Sequence, residues 1–270
     1  MKLNFGCGQR FSKGWVNIDF HSTHPDVKRV NLLRPLPFPD GSFDVVYSSH
    51  VLEHFPQRTT EMILREAWRI LKPAGIVRVV VPDLESTCRE YLRVLDQVDT
   101  SDLARRQYEW IILELLDQLT RTETSGLSHP FRLRLQAAND QEMIHYVKSR
   151  TDTIPWPVGS QRSLAQKLRQ LTLNEVKTRL LYLYIGAVKK LLPPSLRPVI
   201  TDSTQIGEKH KWMYDRHSMA LLMTRCGFSE ISFLAADRSA IPGFSEDHLD
   251  IEPEGTPYKH ASLYCEARKP

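Results

Sequence analysis

The stretch LNFGCGQRFSKGWVNIDF, Leu3 to Phe20, decides the fold. It reads as a buried strand, a glycine turn, and a second strand that closes on an aspartate. A strand feeding a glycine turn is how nucleotide-binding α/β domains begin. Yet only eight residues, Gln9 to Val16, separate Gly8 from Asn17. That is too short for the helix such a turn normally feeds. A pyrophosphate uses the amides and dipole of that helix N-terminus. A ligand without phosphates does not need it.

Downstream, Val27–Leu33 reads as a third strand, PLPFPDGS (35–42) as a turn-rich connection and FDVVYSS (43–49) as a fourth strand. Met62, Ile63, Ala67, Ile70 and Leu71 recur at helical spacing across Pro56–Leu71, and KPAG stops that helix, with Gly75 near its C-cap. IVRVVVPD (76–83) is apolar enough for the middle of a parallel sheet. From 84 to 209 the alternation gives way to helical patterns: Glu85–Val98, Asp102–Thr120, Arg134–Arg150 and Ser163–Leu192. It resumes with a helix over Asp215–Arg225 and strands over Glu230–Ala235 and Ser262–Lys269, the last two joined by a long loop that suits an antiparallel pair. The expected fold is therefore α/β, a doubly wound sheet interrupted by a helical insertion.

Composition narrows the function classes. Hydrophobic residues are 41% and charged residues 25%, the balance of a globular chain, and no apolar run reaches the ~18 residues of a spanning helix. A formal net charge of +4 is too small to argue for nucleic acid, and none is expected as a partner. Cys7, Cys88, Cys226 and Cys265 are scattered, with neither metal-type spacing nor a disulfide framework. With no signal-peptide pattern ahead of the first strand, a cytoplasmic setting is expected. Segment 161–200 is strongly basic, carrying Arg162, Lys167, Arg169, Lys177, Arg179, Lys189, Lys190 and Arg197 against Glu175 alone. Such a face suits a solvated helix, or peripheral contact with the anionic inner face of a membrane.

In a doubly wound sheet, ligands lie at the carboxyl ends of the strands. FGCG, Asp19 and SSH (48–50) fall there. Gly6 and Gly8 allow close backbone approach, and Asp19 can accept both hydroxyls of a ribose. EKHKWMYD (208–215) returns the chain from the insertion to the core, bringing His210, Trp212 and Tyr214 towards the cleft entrance. HVLEH (50–54) matches a zinc-hydrolase spacing, but it directly follows a sheet strand and is read as bracing the cleft, with no metal expected.

LNFGCG, WVNIDF, LPFPDGSFDVVYSSHVLEHF, LREAWRILKPAGIVRVVVPDL and YDRHSMALLMTRCGF follow one another as in class I S-adenosylmethionine-dependent methyltransferases. The pattern resembles the type 11 group, with a shortened first loop, over about residues 2–83 and 210–269. The resemblance implies a Rossmann-like seven-stranded sheet with its last strand antiparallel. It also implies a cofactor, S-adenosylmethionine, that carries ribose and adenine but no phosphate. By position, Phe5, Gly6, Cys7 and Gly8 would line the methionine part, Asp19 would hold the ribose, Asn31 and Leu32 would flank the adenine, and Ser48, Ser49 and His50 would border the methyl-transfer cleft. Many relatives have aspartate where Asn31 stands. The core would be 1–83 with 210–270, and 84–209 a lid that binds the acceptor. The expected reaction is methyl transfer to an oxygen or nitrogen of a small-molecule, sugar or glycan acceptor. His50 is the first candidate base, His210 the second, and Trp212 and Tyr214 are candidate acceptor contacts. The alternatives are an inactive scaffold on the same fold, and a zinc hydrolase built on His50, Glu53 and His54.

Overall fold

The computed structural model describes the chain except for residues 23, 123–125, 152–182, 185, 189 and 194–208. The basic segment 161–200 and the expected helix Ser163–Leu192 fall mostly outside the described residues.

Seven strands form one sheet: β1 (Lys2–Phe5), β2 (Trp15–Asp19), β3 (Val27–Arg29), β4 (Phe43–Ser49), β5 (Leu71–Pro82), β6 (Ser229–Leu234) and β7 (Ser262–Arg268), in the order β3-β2-β1-β4-β5-β7-β6. Strands β1 to β5 run parallel, and β7 is antiparallel to both its neighbours. The loop from β1 to β2 holds no helix, as its length requires. The chain order reverses between β1 and β4, so the switch point lies where FGCG and SSH end their strands.

Strand β5 is the sheet's spine. Val77, Val79, Val80 and Val81 are fully buried between β4 and β7. Helix α1 (Gln57–Ile70) covers one face with Ile63, Leu64, Ala67 and Ile70. Met62 is 56% exposed, so the apolar stripe runs through Leu64 instead. This helix ends at Leu71 in extended backbone, not at Gly75. Gly75 is needed for another reason, since a Cβ there would sit 2.8 Å from the Lys72 carbonyl.

Strand β3 is shorter than expected. Asn31 ends it by accepting the Leu33 amide on its side-chain oxygen at 2.9 Å, an Asx turn that competes with the ladder. After β5 come α2 (Leu84–Leu95), capped by Asp83, then α3 (Asp102–Thr120), α4 (Ser128–Ala137) and α5 (Gln141–Thr151). The expected helix Arg134–Arg150 is two, broken at Asn139, whose φ of 51° no α-helix accommodates. Trp110, Phe131, Leu135, Met143 and Val147 make a separate small core for α3 to α5. Helix α6 (Arg216–Arg225) opens on a capping box of Asp215 and Ser218.

Candidate active site

The glycine turn builds the first wall. Gly6 and Gly8 sit at φ 65° and 53°, where a side chain is strained. Both Gly6 and Cys7 amides donate to the Ile18 carbonyl, binding the turn to β2. Asp19 closes the arrangement, accepting the Gly8 amide on Oδ2 and the His21 amide on Oδ1, each at 2.9 Å. Asp19 therefore shapes the turn and keeps lone pairs for a ligand beside it. A cavity lined by Gly8, Gln9, Phe11, Asp19, His21 and His24 opens there.

A second cavity, of about 180 Å³, lies over the turn. Gly6, Cys7, Gly8, Ser49 and His50 line it together with Asn4, Arg10, Tyr47, Tyr258 and Lys259. The hydroxyls of Ser48 and Ser49 are buried without a hydrogen-bond partner among the described residues. Orphaned donors beside a glycine turn are what a polar, phosphate-free ligand would satisfy. Burial pushes the Cys7 thiol up to about 12, so it is an uncharged wall. Phe5 is fully buried in the main core and does not line the cavity. Asn31 and Leu32 line none of these cavities; Leu32 leans on the core.

Arg10 was not singled out in the sequence, yet it orders the short loop. Its guanidinium donates to the carbonyls of His248 and Ile251 at 2.7 Å, pairs with Glu252 and stacks on Tyr258. The loop 6–14 is thus clamped to the segment before β7.

His50 stands on the wall between this cavity and a third. The third, of about 130 Å³, is lined by His50, Thr87, Glu114, Gln118, Arg150, His210, Met213, Lys259 and His260. The helices after β5 supply its polar rim: Glu114 and Arg150 form a bidentate, nearly buried pair at 2.6 and 2.7 Å. His50 has a left-handed backbone, φ 52°. That bend starts a short 3₁₀ turn, Leu52–His54, in place of a helix, so HVLEH does not present its histidines as a helical i, i+4 pair. His50 Nε2 contacts Ser262 Oγ at 2.9 Å, and Nδ1 faces Glu53 Oε1 at 3.4 Å.

The return segment docks on the same corner. The Glu53 carbonyl accepts the amides of Lys211 and Trp212, and the His210 amide donates to Gln118. His210 and His54 lie edge to face, ring centroids 5.0 Å apart. Burial lowers His50 well below 6.5, with Lys259 adding to the effect, and takes His210 down to about 3. Both rings are therefore neutral at pH 7. Burial also raises the Glu53 carboxyl to about 8.

Two expected acceptor contacts are not on this wall. Tyr214 is 1% exposed, packs in the main core and donates its hydroxyl to Thr60 at 3.2 Å. Its bridge to Asp83 turns the side chain inwards. Trp212 is 42% exposed and lines none of the cavities described.

Residues 4–79 match the family model described as a methyltransferase domain. The chain is 32% identical over 145 residues to sterol 24-C-methyltransferase ERG6B of Gibberella zeae, covering 50% of this chain and 33% of that one. It is 29% identical over 127 residues to ERG6A of the same fungus, covering 45% and 28%. The chain thus spans about a third of the length of the curated relatives it matches. Among solved structures, an S-adenosylmethionine-dependent methyltransferase from Methanosarcina mazei aligns over 99% of this chain and 91% of its own, at 14% identity and a TM-score of 0.40.

Proposed function

We propose that this chain, whose residues 4–79 match a methyltransferase domain, is a class I S-adenosylmethionine-dependent methyltransferase that methylates an oxygen or nitrogen of a small polar acceptor, a sugar or glycan hydroxyl first among the candidates. The observation that carries the reading is the position of His50 on the wall shared by two cavities. One is floored by the glycine turn and suits the donor. The other is walled by α2, α3, α5 and the return segment and suits the acceptor. The helices after β5 thereby act as an acceptor-binding lid.

Gly6, Cys7, Gly8, Ser49 and Asn4 would hold the donor's amino-acid part, and Asp19 its ribose. When bound, the cofactor supplies a methyl already made electrophilic by positive sulfur. The protein's own work is alignment at about 3 Å and exclusion of water. His50 and His210 remain the candidate proton acceptors. Neutral imidazoles can take a proton, but burial makes both weak bases, so alignment carries more of the rate than proton transfer does.

The sterol methylation named for the two fungal relatives fits this cavity poorly. A space edged by Glu114, Arg150, Gln118, Lys259 and histidines is more polar than an apolar sterol calls for. The scaffold reading conflicts with an intact glycine turn and an Asp19 that still shapes it.

Titration calorimetry with S-adenosylhomocysteine tests the donor site, and release of that product from a panel of hydroxylated and amino acceptors tests the reaction. One-to-one micromolar binding with turnover on a polar acceptor is expected. Neither heat nor thermal stabilisation at millimolar ligand would turn the reading towards the scaffold.

A further inference from the structure

We propose that Glu53, His54 and His210 bind a divalent first-row transition-metal ion, with His50 in reach as a fourth ligand. The site borders the acceptor cavity. Its use in catalysis rests on the methyltransferase reading, whereas its existence does not.

The ligand atoms of these three residues lie within 4.8 Å of one another. Glu53 Oε1 is 3.9 Å from His54 Nε2 and 3.4 Å from His50 Nδ1. Ligands of a tetrahedral zinc lie about 3.3 Å apart, given bonds of about 2.0–2.1 Å. Side-chain rotations that shorten the longest of these separations by up to about 1.5 Å would close the shell.

The carboxylate supplies the second observation. Glu53 is 0% exposed, and neither of its oxygens has a hydrogen-bond partner among the described residues. A buried carboxyl is normally paired, hydrogen-bonded or bound to a metal. What faces it here are lone pairs. A carbonyl can only accept, so the contact of His54 Nδ1 with the Lys209 carbonyl at 3.2 Å puts the proton on Nδ1. That leaves Nε2 as the bare nitrogen turned to Glu53. Ser262 donates its hydroxyl to the His260 carbonyl at 3.1 Å, so the same oxygen accepts from His50 Nε2. The bare nitrogen of His50 is then Nδ1, also turned to Glu53. These groups converge on one buried point beside the Lys259 ammonium, and a metal ion there would displace the proton that the buried Glu53 carboxyl otherwise keeps. The Lys209 and Ser262 contacts are the outer hydrogen bonds that fix the tautomer of metal-binding histidines.

Imidazole nitrogens with one carboxylate oxygen select Zn²⁺ or Fe²⁺, and more weakly Mn²⁺, over Mg²⁺. His50 and His210 both line the acceptor cavity, so an open coordination position would face it. A hydroxyl acceptor bound there is held in place and made more acidic.

The test is titration of purified, chelator-stripped protein with MnCl₂, ZnCl₂ and MgCl₂, each alone. One Mn²⁺ or Zn²⁺ per chain is expected, with affinity at least tenfold weaker in Glu53→Gln and in His210→Asn, and weak Mg²⁺ binding. Anomalous scattering from Mn²⁺-soaked crystals of the unaltered protein locates the ion without any variant. No binding at 1 mM, or an ion found elsewhere, would overturn the proposal. Stoichiometric metal with no binding of S-adenosylhomocysteine would leave the site standing and overturn the functional reading. Turnover that survives chelation, in protein that binds no ion, would do the reverse.

Discussion

Asp19 accepts the amide of Gly8 at 2.9 Å, across the turn that follows the first strand. One carboxylate therefore shapes the loop and lines the cavity beside it. Asp19→Ala removes both duties. Hydrogen bonds to a charged group contribute about 1.5–3 kcal/mol each. Loss of S-adenosylhomocysteine affinity by about 10–100-fold is expected by calorimetry, with a modest fall in Tm as the Gly8 and His21 amides lose their acceptor. Unchanged affinity would remove Asp19 from the donor site.

Gly6 has no room for a side chain. An added Cβ would fall 2.3 Å from Val51 Cγ2, and φ is already 65°. Gly6→Ala should destabilise by about 1–3 kcal/mol from backbone strain alone, with the clash added. Pairing it with Val51→Ala separates the two costs. The double variant should recover the part due to the clash but keep the strain. Full recovery in urea denaturation would show that the left-handed backbone was not required.

The parallel strands of the sheet were legible because β1, β4 and β5 are apolar runs closed by glycine, serine or aspartate, and the eight-residue gap before Asn17 left no room for a helix. What escaped was set by contacts between distant residues. Asn31 ends β3 early because its side chain bonds the backbone two residues on. Tyr214 looked like a cleft residue because its neighbours are polar, but its bridge to Asp83 turns it into the core. HVLEH holds two of the three residues whose ligand atoms cluster, Glu53 and His54. It could not name His210, which arrives from 156 positions further along the chain than His54, nor foresee that His50 would bend the backbone out of a helix. Arg78 stood in the most apolar strand without attracting notice.

Arg78 is fully buried between Asp250 and Glu266, at 2.6 and 2.7 Å. Asp250 also accepts the hydroxyl of Tyr47 at 2.5 Å, and the guanidinium lies over the rings of Phe244 and Tyr264. This network fastens the segment after β6 to the sheet, beneath the donor cavity. Arg78→Met leaves two buried carboxylates without their cation, which costs about 3–5 kcal/mol. Chemical denaturation should record that loss. A change under 1 kcal/mol would mean that water or protonation relieves the carboxylates.

His50 can be tested apart from folding and donor binding. If it positions the acceptor or takes its proton, His50→Ala should lower kcat by about 10²–10⁴-fold, while affinity for S-adenosylhomocysteine stays within about threefold. Ser262→Ala, which frees the ring, should give a smaller loss in the same direction. Equal loss of donor affinity in His50→Ala would instead make the ring part of the donor pocket.

Glu66 predicts a pH signature remote from the site. It accepts from Arg69 and from the Leu36 amide at 2.8 and 2.9 Å, and the Arg69 bond first of all lowers its pKa below 4.5. Arg69 also donates to the carbonyls of Leu36 and Phe38, so the pair holds the PLPFPDG loop against α1. A carboxylate lowered in the folded state stabilises fully above its unfolded value and loses that contribution as pH falls through the folded one. Glu66→Gln should therefore lower Tm by a constant amount from pH 6 to 8. The gap to the unaltered protein should narrow once the pH drops below about 4.5 and close under the folded value. A gap that stays constant down to pH 3 would mean that the amide's shape, not the lost charge, sets the cost.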